Sequence, residues 1–152
     1  MARIDELLNN TLPLLQVEWN AEGDASGIPD PDNLGEGMEL VGRLTQGDAQ
    51  IHMTYIWVNE VDQETPWVAE HVHDYDEVLI WTGSDPANPR DLGAEIYMEI
   101  EGERRIITES GSIYIPAGTR HCPLGFIRVD RPFTFSALSL APEYRSTRTD
   151  VR

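Results

Sequence analysis

Four side chains with metal-binding chemistry stand out in this sequence of 152 residues: His71, His73, Glu77 and His121. The first three lie in His71-Val-His-Asp-Tyr-Asp-Glu77, an H-x-H-x3-E pattern, and the fourth closes Pro116-Ala-Gly-Thr-Arg-His121. Side chains alternate across a strand, so His71 and His73 share a face. A turn at Asp74-Tyr75-Asp76 would return Glu77 to that face. A histidine from a distant strand would complete a 3-His/1-carboxylate site. Imidazole and carboxylate together suit a divalent Fe, Mn, Ni, Zn or Co ion. Three neutral imidazoles and one carboxylate leave such an ion at net +1. Four protein donors would leave an octahedral ion two positions for water, O2 or a bidentate substrate, where it serves as Lewis acid, hydroxide source or redox centre. The chain has four histidines, and three belong to this set. His52 has no motif around it and is left outside.

The elements that must position these residues read as short strands. Glu39–Gln46 and Gln50–Asn59 come first, separated by Gly47-Asp48. In the second run Ile51, Met53, Tyr55 and Trp57 share one face. Trp67–His73 and Glu77–Trp81 follow, then a Pro-, Asp- and Asn-rich loop over residues 84–93. Ala94–Glu101 alternates, with Ile96, Met98 and Ile100 on one side and Glu95, Tyr97, Glu99 and Glu101 on the other. Glu101-Gly102-Glu103 predicts a hairpin turn into Arg104–Glu109. Ser112–Ile115, Cys122–Val129 and Pro132–Leu140 close the series. Many short strands with almost no helical period predict an all-β sandwich or barrel. Ahead of it, residues 1–37 form an arm and loop. Ile4, Leu7 and Leu8 have helical spacing, and Pro13 ends any helix there. The barrel spans 38–141, and 142–152 is a loose polar tail.

Composition narrows the function classes. Lys and Arg number 11 against 27 Asp and Glu, a net charge of −16. Such a surface repels phosphate backbones and anionic membranes, so neither nucleic acid nor membrane is expected as a partner. Cys122 is the single cysteine, which excludes an intrachain disulfide. Strand alternation places it facing away from His121, as a buried structural residue. Asp5 and Glu6 interrupt the N-terminal apolar run, so no signal peptide is expected and the location is read as cytoplasmic.

The same residues resemble the two sequence signatures of the cupin superfamily. The first signature appears here as His71-x-His73-x3-Glu77 closed by Gly83. The second is Gly111, then Pro116-x-Gly118-x-x-His121. Departures fall on turn positions. Thr65 stands in the opening glycine slot, Gly83 comes one residue early, Ser110 takes a glycine slot, and Gly125 takes the terminal asparagine slot. The resemblance, to single-domain bacterial metal-binding cupins, implies a double-stranded β-helix, the cupin jelly-roll barrel, with a divalent metal inside its mouth. It also implies, together with the apolar arm, a homodimer formed by arm exchange or sheet extension.

Softer candidates surround the motif. Trp81 has the parity of Glu77 and Leu79 and is expected to line a pocket. Tyr97 is a second pocket candidate. Arg120 adjoins His121 and would either meet an anionic substrate or form a surface ion pair. Two functions fit: a metal-dependent enzyme of dioxygenase, isomerase or lyase type acting on a small polar molecule, or a non-catalytic module whose metal anchors a small ligand.

Overall fold

The computed structural model describes residues 2–15, 28–145 and 147–148. Among these described residues one short helix, α1 (Arg3–Leu7), precedes eleven strands. The strands are β1 (Met38–Val41), β2 (His52–Val58), β3 (Thr65–Val68), β4 (His71–Val72), β5 (Glu77–Thr82) and β6 (Asp91–Ile100). They continue as β7 (Glu103–Glu109), β8 (Gly111–Ile115), β9 (His121–Val129), β10 (Phe133–Ser139) and β11 (Thr147–Arg148). One sheet has the order β1-β2-β10-β5-β8. The other has the order β11-β4-β9-β6-β7, with β3 also on β9. All pairings are antiparallel. The two sheets face each other as a jelly-roll barrel, the all-β architecture expected from the sequence.

The core fills the space between the sheets. Leu79, Trp81 and Phe135 from one sheet meet Ile96, Met98, Leu124 and Phe126 from the other. Trp67 bridges them, stacked 5.7 Å from Phe126 and edge-on to Phe135 at 5.0 Å. Aromatic pairs at these separations add to the burial of their surface.

Alternation sorts most strands, but not always in the sense that hydrophobicity alone proposes. On β2 the inward set is His52, Thr54, Ile56 and Val58, opposite Ser139, Ala137, Phe135 and Phe133 of β10. The more aromatic set, Met53, Tyr55 and Trp57, lies outside, and Trp57 is exposed. On β6, Leu92, Ala94, Ile96 and Met98 join the core, and the strand starts at Asp91, inside the expected loop. Asp91 pairs with Glu109 across the β6–β7 ladder, and its carboxylate accepts from Arg131 at 2.6 Å. The loop before it is tied by Ser110, whose hydroxyl accepts from Gly83 N–H at 2.9 Å and donates to Pro89 O at 2.8 Å. Ser110 thus works in its slot as a hydrogen-bonding staple.

The expected hairpin is present. Glu101 and Gly102 have φ of 49° and 85°, the two left-handed positions of a tight turn joining Ile100 to Glu103. At the N-terminus, Leu14 bridges Met38, and Glu39 N–H donates to Pro13 O at 2.9 Å, so the arm covers the β1 edge. Ile4, Leu7 and Leu8 on and beside α1 remain exposed. No helix among the described residues is long and apolar enough to cross a membrane.

Candidate metal centre

A short strand and two turns deliver the four candidate donors. His71 opens the two-residue strand β4 and His73 follows it, and both are buried. The chain then turns through Asp74-Tyr75-Asp76, so Glu77 opens β5 on the same interior. Pro116–Thr119 forms the second turn, closed by Thr119 N–H to Pro116 O at 3.2 Å, with Gly118 at φ 82°. A left-handed third position favours glycine, which removes the Cβ clash. Gly118 N–H donates to His73 O at 2.8 Å, and the Asp76 carboxylate accepts from Ala117 N–H at 2.8 Å and from the Tyr114 hydroxyl. These bonds pin the turn to the His73–Glu77 segment and set His121 opposite it.

A bulge keeps His121 inside. Ile100 pairs with His121 while Met98 pairs with Leu124, so β9 holds one extra residue in that interval. Simple alternation would send His121 and Leu124 to opposite faces. The bulge, with Cys122 at φ 69°, lets both face the interior. Cys122 is buried within the hydrophobic core cluster. The expectation of a buried structural cysteine agrees with its burial.

The ring nitrogens have divided roles. His71 Nδ1 lies 2.8 Å from Ala69 O, His73 Nδ1 lies 2.6 Å from Arg145 O, and His121 Nδ1 lies 2.9 Å from Thr119 O. A carbonyl oxygen only accepts, so each Nδ1 carries the hydrogen. In the neutral rings every Nε2 then presents a lone pair. The Nε2 atoms of His71 and His73 nevertheless approach to 3.1 Å. Glu77 Oε1 stands 3.4 Å from His73 Nε2 and 3.5 Å from His121 Nε2. The buried Glu77 oxygens and His121 Nε2 have no hydrogen-bond partner among the described residues. Acceptors that converge without a donor between them fit a cation. The ligand atoms of the three histidines all lie within 4.8 Å of one another.

The electrostatics agree. Burial, followed by the neighbouring His121, pushes His71 down to about 3, so the ring is neutral near pH 7 and able to ligate. Burial pushes the Glu77 carboxyl up, but His121 and His73 together outweigh it and hold the group below its usual range. The site thus combines an anionic Glu77 carboxylate with a neutral His71 ring.

The softer candidates are placed as follows. Trp81 is buried, donates to Glu109 O at 2.9 Å, and lines a cavity of about 540 Å³ with Met98, Ile100, Ile107 and Ile113. Glu101, Glu103 and Arg105 stand at its rim. Ile100 is the cross-strand partner of His121, but none of the four candidate donors lines this slot. Tyr97 lies on the other face of β6, covered by the Arg104 guanidinium at 4.2 Å and packed over Gly125. It does not line the slot, because strand alternation turns it away from Met98 and Ile100. Arg120 sits at the surface, 3.4 Å from Glu70. A second cavity of about 350 Å³ lies beneath residues 14–15 and 30–37, against Ile56, Trp67 and Phe135, and holds none of the four donors.

Two features escape the sequence reading. Tyr144, in the tail expected to be loose, is buried with its hydroxyl 3.4 Å from His71 Nε2. Residues 147–148 form β11 on β4, so the tail is corrected to a packed strap as far as it is described. A tyrosine in a polar run carries no periodic signal that would mark it. The second feature is buried His52, 3.5 Å from the buried Glu39 carboxylate. The register His52–Ser139–Glu77 runs across β2, β10 and β5 toward the metal centre.

No protein-family model matches this sequence, and no curated protein matches it. Among solved structures, a cupin-2 domain from Rhodospirillum rubrum is similar with a TM-score of 0.55 and 9% identity, over 92% of this chain and 76% of that one. The polyketide cyclase RemF of Streptomyces resistomycificus is similar at 0.53 and 13%, over 82% and 78%. The DMSP lyase DddQ of Ruegeria pomeroyi is similar at 0.51 and 16%, over 91% and 61%. At these identities the likeness is one of fold.

Proposed function

We propose that this chain, which has the cupin fold, is a metal-dependent enzyme that binds one divalent ion through His71, His73, Glu77 and His121 and acts on a small polar molecule. The observation that carries the metal assignment is the 3.1 Å approach of two imidazole Nε2 lone pairs whose Nδ1 hydrogens are already committed to Ala69 O and Arg145 O. As neutral rings neither can donate to the other, and a shared cation makes the contact favourable.

The chain's own residues divide the remaining work. The backbone carbonyls of Ala69, Thr119 and Arg145 fix ring tautomer and orientation. The Glu77 carboxylate lowers the site's net charge from +2 to +1. The core residues around Trp81 and Met98 exclude water from one side, which strengthens every electrostatic interaction inside. The slot beside Ile100 gives a ligand apolar walls, and Arg105 and the rim carboxylates contact its polar groups. When bound, the ion supplies Lewis-acid, hydroxide-generating or redox chemistry to a small molecule. Oxygenase, isomerase and lyase reactions all fit such a centre.

Elemental analysis of protein purified without a metal-affinity tag tests the assignment. One equivalent of a first-row transition metal is expected, lost in His73→Ala and in Glu77→Ala. Iron directs the search to O2 consumption, and zinc to lyase and isomerase substrates. Protein that stays metal-free in the presence of Fe, Mn, Ni and Zn would overturn the proposal. Metal-loaded protein that binds small carboxylates without turnover would move the conclusion to a ligand-binding module anchored by the same ion.

A further inference from the structure

Tyr144 reaches the metal centre from the end of the chain. Its side chain is buried, and its ring lies edge-on to His73 at 5.1 Å and to His71 at 6.5 Å. The segment that carries it is fastened along its length. Leu140 N–H donates to Asp76 O at 2.9 Å. The Tyr75 hydroxyl donates to Arg145 O at 3.0 Å and accepts from Arg145 N–H at 3.1 Å. Arg145 Nε donates to Asp74 Oδ1 at 2.9 Å, and Thr147 pairs with Val72. His73 Nδ1 donates to Arg145 O as well, so the strap that orients a candidate ligand is the strap that presents Tyr144.

We propose that Tyr144 is a fifth protein donor to the ion, an oxygen ligand delivered by the C-terminal strap. The proposal rests on the metal assignment above and extends it. Donors about 2.1 Å from one ion stand about 3.0 Å apart at right angles and about 3.4 Å apart at tetrahedral angles. The separations His71–His73, His73–Glu77 and Glu77–His121 are 3.1, 3.4 and 3.5 Å. Tyr144 Oη to His71 Nε2 is 3.4 Å, within the same range. A phenol oxygen at that spacing from His71 Nε2 is near enough to share an ion with it. Five protein donors leave an octahedral ion one open position instead of two. The substrate then binds the ion through a single atom, which selects against bidentate chelators.

Ferric iron is a direct probe, because phenolate bound to iron(III) gives a visible charge-transfer band that imidazole and carboxylate ligands do not. The full chain loaded with one equivalent of iron(III) is expected to be coloured, with tyrosinate ring modes enhanced in resonance Raman spectra excited in that band. Tyr144→Phe is expected to retain iron by elemental analysis and lose the band, while Tyr97→Phe, on the outer face of β6, keeps it. Competition with a chelator should show zinc held at least about tenfold more weakly by Tyr144→Phe. Iron-loaded wild-type protein without tyrosinate modes, or a Tyr144→Phe variant with the band intact, overturns the role of Tyr144 and leaves the four-donor site standing. Wild-type protein that takes up neither iron nor zinc overturns both. The Raman measurement needs no variant, so the proposal stays testable if Tyr144→Phe fails to fold.

Discussion

His71 and His121 are direct partners across the β4–β9 ladder, and their ring centroids lie 4.2 Å apart. Two residues far apart in sequence are thus brought side by side by strand pairing, each with its Nε2 directed at the same point. An ion held by these two rings and by Glu77 of β5 would tie this ladder to the opposite sheet.

Metal removal should therefore lower stability as well as function. A ligand at about 1,000 times its Kd stabilises the folded state by about 4 kcal/mol. For a domain of this size each kcal/mol shifts Tm by about 2–4 °C. Chelated protein is expected to melt about 10 °C below the metal-loaded form in calorimetry. His121→Ala should melt at one temperature with or without metal.

Gly125, in a slot where the family signature has asparagine, answers to packing on the outer face of β9. A Cβ there would run into the Tyr97 hydroxyl and stand 2.8 Å from Thr65 O. Overpacking of this kind costs about 1–3 kcal/mol. Gly125→Ala should lower the urea midpoint accordingly. Its metal content should match the wild type, because the new methyl group lies on the face opposite the site.

His52 gives the apo protein a pH-dependent stability. Burial lowers its pKa below 6.5, and the opposing pull of Glu39 and Glu143 only reduces that shift. The unfolded chain then binds the proton more tightly than the folded one, so stability is complete above pH 6.5 and falls as pH drops below it. His71 is lowered in the same direction. Chemical denaturation from about pH 7 to about pH 5 should show a falling stability, with a shallower slope in His52→Gln than in wild type. Equal slopes would show that His52 is not buried in its neutral form.

The N-terminal arm is predicted to pair two copies of the chain. Ile4, Leu7 and Leu8 are exposed on and beside a helix of five residues. An isolated helix that short is unstable in water without a surface to cover its apolar side. Light scattering should give twice the 17.1 kDa of one chain. Deleting residues 2–10 should return it to a single-chain mass.

Much of this protein was legible in its sequence because the β period is simple. The H-x-H spacing places His71 and His73 on one face, turn residues at 74–76 bring Glu77 back, and Pro116 and Gly118 specify the turn before His121. Parity also put Trp81 beside Leu79 and Glu77. Parity groups residues by face without saying which face is inside. On β2 the aromatic face lies outward, because the opposite face must meet Phe133, Phe135 and Ala137 of β10. Tyr97 likewise went to the outer side of its strand.

The sequence by itself specified an antiparallel β-barrel and proposed four candidate donors, since alternation and turn chemistry act over a few residues. Only the tertiary structure decided what surrounds them. The bulge at Cys122 holds His121 inward, three backbone carbonyls set the ring tautomers, and a strap from the end of the chain brings Tyr144 to His71. Those contacts join residues whose separation along the chain carries no period, so they exist only once the sheets have closed on each other.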